Sequence, residues 1–242
     1  NRLGALPAVV LELGAAGGKS EEVGQLLESV LMRARGNTGE ASSTLSELQK
    51  KSPESAWIAW LIGVLDIRRG GLTDAIENLE LVVKRHPNFA PALHQLGLAY
   101  ASKREYENAT RTLQNAIKHG GGHTAQLDLG RLFLSRKMWA EALVHLENSL
   151  GIQPTKVETL RLIAAANFHL ERHELAVKTY MRAYDLEPAP RTLLSAAIAH
   201  HAAGAHGSAL TLLKRVIPDE QAVPEVHFQR ALSLIELKKL DE

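Results

Sequence analysis

A four-residue spacing that recurs along the whole chain limits the folds open to it more than any other feature. A small residue is followed four positions later by a large apolar one, beginning at Ala41 and Leu45 and again at Ala75 and Leu79. Two of the five intervals between copies are one position shorter than the other three, which follow a period of about 34 residues. The alanines of the six copies are Ala41, Ala75, Ala109, Ala142, Ala176 and Ala209. Self-similarity at such a period is typical of repeat architectures, in which each repeat is one supersecondary unit.

A second small residue stands at a constant distance before the alanine. Twelve positions before each of the last five alanines lies a Gly or another Ala: Gly63, Gly97, Gly130, Ala164 and Ala197. Because this distance never changes while the period does, we expect a fixed turn within each repeat and a variable connection between repeats.

Each repeat has the pattern of two helices of about 13 residues. Residues four before, one before and three after the small residue share a helical face with it, as in Leu93, Leu96, Gly97 and Tyr100. A small residue in this stripe permits close approach of a neighbouring helix. Prolines are predicted to end the second helices: Pro53, Pro87, Pro154 and Pro188.

This spacing resembles the tetratricopeptide repeat, in which W-x-x-L-G-x-x-Y is followed by A-x-x-x-F and then P within a period of about 34 residues. The resemblance implies an all-α fold, an α-solenoid of antiparallel helix pairs wound as a right-handed superhelix, whose concave wall is made by the first helices. Residues 1–21 are predicted to be a flanking helix or the end of a preceding repeat. Six repeats are predicted within 22–223, the first of them degenerate, followed by the first helix of a truncated repeat at 224–242. Their ranges are 22–55, 56–89, 90–122, 123–156, 157–189 and 190–223.

The concave wall should be formed by residues six and three before, and one and four after, each small residue. This face is unexpectedly apolar for a helix with one buried side. Its large apolar, aromatic and basic members are the candidate partner-binding residues: Trp57, Trp60, His94, Leu98, Leu127, Arg131, Arg161, Phe168, Leu194 and His201.

Alternative interpretations exist for the same residues. Neighbouring first helices could bury the aliphatic members against one another, and Trp57 and Trp60 could pack onto the preceding repeat. Arg131 and Arg161 could pair with Asp128 and Glu158 rather than with the carboxylates of a partner, for which an arginine fork is suited.

Composition excludes several classes of function. The charge of +1 at pH 7 is spread along the chain, which argues against nucleic-acid binding. The most apolar stretch is too short and broken to insert into a membrane. Without cysteine there is no thiolate nucleophile or Cys-based zinc site. His169 and His173 have the spacing of a metal pair but lack a third ligand, so no metal, cofactor or catalytic residue is predicted.

Two hypotheses about function follow. The first is a non-catalytic scaffold or adaptor that binds a partner peptide or protein on the concave surface. The second is the repeat arm of a larger machine, such as a bacterial envelope or exopolysaccharide assembly component, or the substrate-selecting arm of an enzyme whose catalytic domain lies elsewhere. The chain begins at Asn1 and is expected to be a piece of a longer protein, so cytoplasmic and periplasmic locations both stay open. The uncovered face of the last helix predicts end-to-end self-association as a further contact.

Overall fold

The described part of the chain is entirely helical. The computed structural model describes residues 37–53, 55–216 and 224–237, which hold twelve helices and no strand. They are α1 (Thr38–Lys51), α2 (Ala56–Arg68), α3 (Leu72–Arg85), α4 (Ala90–Ser102), α5 (Tyr106–Lys118), α6 (Gly122–Ser135), α7 (Trp139–Ile152), α8 (Val157–His169), α9 (His173–Leu186), α10 (Pro190–Ala202), α11 (His206–Val216) and α12 (Pro224–Glu236). None of these helices is both long enough and apolar enough to cross a membrane.

The helices belong to two compact units that divide between Gly121 and Gly122. Unit 1 contains α1 to α5, in which α2 pairs with α3 and α4 pairs with α5. Unit 2 contains the hairpins α6–α7, α8–α9 and α10–α11, with α12 packed on α11. The predicted boundaries of the repeats stay predictions, and the expectations for 1–36 and 238–242 lie outside the described residues.

In three hairpins, the glycine of the first helix lies against the leucine of the A-x-x-x-L motif in the second helix. A Cβ added at Gly97 would lie 2.7 Å from Cγ of Leu113, and one added at Gly63 would lie 2.8 Å from Cγ of Leu79. Real Cβ atoms essentially never approach so closely, so the glycine is what permits the contact between helices. The two halves of the sequence motif are therefore the two sides of one contact.

The turn inside each hairpin has the same backbone geometry throughout. The residue seven after the small residue always has a positive φ, from 59° at Lys137 to 86° at Gly70. The next residue donates its N–H to a carbonyl five positions back, as from Glu105 to Tyr100 at 2.9 Å. This is the left-handed helix cap, which satisfies the free carbonyls at a helix end. The invariant spacing of twelve positions is explained by this fixed turn.

A buried stripe that the sequence analysis did not assign runs along the first helices. Residues five before and two after the small residue are buried in α4, where they are Ala92 and Ala99, and in α10, where they are Thr192 and Ala199. In unit 1, Ala92 and Ala99 belong to the same core cluster as Ile76 of α3. Each first helix in the middle of a unit is thus covered on two sides, by the second helix of its own hairpin and by that of the preceding one.

Candidate partner-binding surface

The candidate site is the remaining side of the first helices within each unit. We call this side the first-helix wall, formed in unit 1 by α2 and α4 and in unit 2 by α6, α8, α10 and α12. Most of its residues are half-buried. A half-buried side chain has both a structural contact and a surface on which a partner can pack.

The two tryptophans of α2 form an aromatic cluster. Trp57 meets Trp60 edge to face with ring centroids 5.6 Å apart, and it meets Phe89 in the same way at 4.8 Å. Trp60 also packs against the core clusters on both sides of α2. Its Nε1 is buried and has no acceptor among the described residues. Both indoles are partly structural, and both stay half-exposed on the wall.

The unit 1 wall continues on α4 with His94 and Leu98, which are also half-buried. They lie one helical turn apart, since their positions differ by four. Together with Val64 of α2, Leu98 adds aliphatic surface to the aromatic cluster. The wall of unit 1 is consequently apolar, with His94 as its titratable group.

Arg131 of α6 is held by two carboxylates. Its Nη1 lies 2.8 Å from Oδ1 of Asp128, and its Nη2 donates to Oε1 of Glu158 in α8. The arginine side chain keeps 42% of its surface exposed and the Glu158 side chain 49%. The pairing within the chain that the sequence left open is therefore present for Arg131, in an exposed form that solvent screens.

Arg161 of α8 makes contacts that the sequence analysis did not foresee. Its Nε donates to Oγ1 of Thr192 at 2.8 Å, and its Nη2 lies 3.1 Å from Oε1 of Glu187. Thr192 belongs to α10 of the next hairpin, whereas Glu187 directly follows α9, the second helix of the hairpin that contains Arg161. The sequence contains a signal for this contact, since Glu187 lies shortly before α10. The sequence analysis considered only acidic residues within one helical turn of the arginine, so it did not identify Glu187.

The other wall candidates of unit 2 differ in how far they are covered. Leu127 is buried, with 5% of its surface exposed, whereas Leu194 is half-buried against a core cluster. Phe168 contacts the ring of His173, with centroids 5.2 Å apart. The Nδ1 of His201 lies 3.0 Å from Oγ of Ser233 in α12. Of these four, Leu127 offers the least surface to a partner.

The His169 and His173 pair does not come together as a metal site. His169 is exposed and stacks on Trp139 with ring centroids 4.1 Å apart, whereas His173 packs on Phe168. Across the described ranges, no three His, Cys, Asp or Glu side chains are placed to hold a metal ion. Both rings pack on aromatic side chains, and the Nδ1 of His173 is buried without a hydrogen-bond partner among the described residues.

The stacked antiparallel hairpins, with a small residue at each crossing and the same left-handed turn in each pair, define an all-α helical repeat protein. Residues 94–156 and 159–190 match family models described as tetratricopeptide repeats. The chain contains tetratricopeptide repeats. No curated protein matches it significantly in sequence.

Solved structures with the same fold include those of MamA, pilF and YrrB. MamA from Desulfovibrio magneticus RS-1, residues 41 to the end, is 23% identical, with a TM-score of 0.61 over 66% of this chain and 92% of that chain. The Pseudomonas aeruginosa protein pilF is 19% identical, with a TM-score of 0.71 over 87% and 96%. YrrB, a TPR protein with an unusual peptide-binding site, is 15% identical, with a TM-score of 0.65 over 80% and 97%. At these identities the likeness concerns the fold.

Proposed function

We propose that the chain is a non-catalytic scaffold that binds a segment of a partner protein along its first-helix wall. The observation that carries this proposal is the composition of α2, in which the wall side is as apolar as the packed side. Trp57, Trp60, Val64 and Ile67 are its wall residues, and all four are half-buried. A helix without a polar face is normally covered on all sides.

Aromatic anchors of this kind favour a peptide or protein partner. Trp is enriched among the residues that contribute most to binding, because it offers a large rigid surface with little conformational entropy to lose. In the proposed complex, Trp57, Leu98 and Val64 contact apolar side chains of the partner. YrrB, which is described as a TPR protein with an unusual peptide-binding site, is an example of peptide binding on the same fold.

The unit 2 wall has a different chemistry and supports recognition of acidic groups. Arg131 and Arg161 keep 42% and 36% of their side-chain surface exposed while they are ion-paired. A carboxylate of the partner can replace Glu158 or Glu187 at the guanidinium groups without leaving a buried charge unpaired. We expect the unit 1 wall to contact apolar side chains of a partner and the unit 2 wall, taken by itself, to contact acidic ones.

Photo-crosslinking tests where the partner lies. A photoreactive side chain replaces Val64 on the wall in one variant and the exposed Glu77 of α3 in a control variant. Both are exposed to extracts of the native source, and the crosslinked peptide is identified by mass spectrometry. The proposal predicts one partner segment that is captured from Val64 and not from Glu77.

The captured segment is then titrated against the wild type and Trp57→Ala. Loss of a central aromatic anchor should cost about 2 kcal/mol, or roughly thirtyfold in affinity. Thermal melts of each variant separate this loss from unfolding. Equal capture from both positions, or unchanged affinity in a folded Trp57→Ala variant, would exclude the wall as the binding surface.

A further inference from the structure

A groove on the opposite side of unit 1 has the features of a second binding site. It opens between the second helices α3 and α5 and has a volume of about 620 Å³. Leu96 and Tyr100 of α4 form its floor, and Val83, Lys84, Arg111 and Lys118 stand along its sides. We call it the basic groove. Its volume is within the range of sites that enclose a few ligand side chains.

Three cations and one anion surround the basic groove. Within the part of the chain that the structure describes, neither Lys84 nor Lys118 has a carboxylate within 4.0 Å of its ammonium nitrogen. Arg111 donates from Nη2 to the uncharged Oδ1 of Asn108 at 3.1 Å. The C-terminal ends of α3 and α5 each contribute about half a negative charge from the helix dipole. Three cations less Glu80 and these helix ends leave an excess of about one positive charge.

The single anion of the groove is already engaged. Glu80 accepts a hydrogen bond from the hydroxyl of Tyr100 across the groove. Burial, followed by this bond and the charge of Glu80, raises the pKa of Tyr100 to about 12, so the hydroxyl stays protonated at neutral pH. This bond holds the Glu80 carboxylate at one edge of the groove, so it does not serve as the counterion of both Lys84 and Lys118.

The lysines on this side of unit 1 have a signal in the sequence. Lys50, Lys84 and Lys118 recur with the period of the repeat, one near the end of each second helix of unit 1. The same position holds Gly151 and Asp185 in unit 2. The helix dipole alone does not explain this position, because α7 and α9 have no basic residue in their last turn and α11 has Lys214 and Arg215 at other positions.

We propose that the basic groove binds an acidic peptide segment that inserts one apolar side chain between α3 and α5. The apolar side chain lies against Val83 and the ring of Tyr100, above the buried Leu96, while flanking carboxylates of the segment contact Lys84, Arg111 and Lys118. This surface lies on the second helices, so it is distinct from the first-helix wall of the proposed function. A bare polyanion such as a nucleic acid is disfavoured, because its charged backbone would leave the apolar floor unfilled.

The probe is a fluorescein-labelled octapeptide, with one central Leu and Asp or Glu elsewhere, titrated by fluorescence anisotropy. We expect saturable binding that weakens as salt is raised from about 50 to 300 mM, because the charge contacts are exposed. Replacing the central Leu by Ser should weaken binding at least about tenfold. An oligothymidylate of equal charge should bind at least about tenfold more weakly than the peptide.

Matched charge reversals locate the site. Lys84→Glu with Lys118→Glu should lower the affinity at least about tenfold, whereas Lys178→Glu with Lys214→Glu, on second helices of unit 2, should change it less than about twofold. Trp57→Ala on the wall should leave this affinity unchanged, which separates the test from that of the proposed function. Circular dichroism confirms that each variant is folded.

Several results would overturn the proposal. They are an absence of saturable binding, equal losses in the two charge-reversed variants, equal affinity for the Ser peptide, and equal affinity for the oligothymidylate. The last of these would assign the groove to nucleic acid instead. Loss of binding in a folded Trp57→Ala variant would place the acidic peptide on the wall.

Discussion

Adding a single methyl group at Gly97 tests the close approach that organises each hairpin. The Cβ of Gly97→Ala would lie 2.7 Å from Cγ and 2.9 Å from Cδ2 of Leu113, with the backbone N of Leu113 at 3.3 Å. Leu113 is fully buried, so its side chain has little room to move away. Alanine is otherwise the better helix former, which sets two opposing effects against each other at one site.

The magnitudes decide the expected sign. Replacing Gly by Ala in a helix interior gains about 1 kcal/mol, whereas overpacking a core costs about 1–3 kcal/mol. Gly97→Ala should therefore destabilise by about 0–2 kcal/mol. Leu113→Ala alone should cost about 2–5 kcal/mol, because it leaves a cavity. In that background the clash with Cγ and Cδ2 is gone, so Gly97→Ala should stabilise by about 1 kcal/mol.

Urea unfolding followed by circular dichroism gives the four free energies of this double-mutant cycle. The coupling between the two positions should be about 1–3 kcal/mol. Gly151→Ala is the matched control, since Gly151 lies within α7 and a Cβ there would meet nothing within 4 Å. If Gly97→Ala stabilised the protein as much as Gly151→Ala, or the coupling were zero, the close contact between α4 and α5 would be wrong.

Three further predictions concern the turns, the histidines and the units. Lys137→Gly should stabilise unit 2 by about 1 kcal/mol in urea melts, since Lys137 has φ 59° and glycine avoids the cost of this conformation; no gain would contradict a strained turn. Burial lowers the pKa of His145 from 6.5, so the unfolded chain takes up protons first and stability should decline as pH falls below about 6.5. His145→Phe should make that decline shallower, and an unchanged pH profile would contradict it. Residues 122–242 expressed alone should unfold cooperatively, because unit 2 is compact and contains its own core cluster; low helicity would contradict this.

The sequence predicted the fold class because tandem copies report the same contact several times. A Gly at one position in one helix carries little information, but Gly63, Gly97 and Gly130 at equal distance from Leu79, Leu113 and Leu146 identify a recurring crossing of helices. The all-α fold and the tetratricopeptide repeats are confirmed. The left-handed residues Arg104, Lys137 and Glu171 could not be predicted from their side chains, because the surrounding turn imposes a conformation that only Gly would announce.

The second buried side of the first helices could not be predicted from the pattern of one helix alone. Ala92 and Ala99 are small, and a stripe of small residues has little hydrophobic contrast with a surface helix. Its burial depends on the second helix of the preceding hairpin, which lies further away along the chain. Arg161 raises the same difficulty, since Thr192 comes from the following hairpin and Glu187 lies 26 residues further along the chain, beyond α9. The wall residues stay predictions as binding residues, because their contacts within the chain leave surface exposed without naming what covers it.

The ion pairs on the unit 2 wall bear on what each part of the proposed interface would contribute. Arg131 and Glu158 are each more than two-fifths exposed, and pairs of this kind contribute about 0–1 kcal/mol. Exchanging Glu158 for a carboxylate of the partner replaces one weak pair by another, so the net gain in affinity is small. The arginines would instead orient the partner and speed its association, which depends on salt. The affinity must come from desolvation of the apolar wall of unit 1, because burial of half-exposed indole surface has no competing contact to break.

Reversing Arg131 and Arg161 to Glu should therefore slow association and flatten its salt dependence, whereas Trp57→Ala should chiefly speed dissociation. Stopped-flow binding of the captured segment distinguishes these outcomes, and a larger effect of the arginines on dissociation would contradict this division.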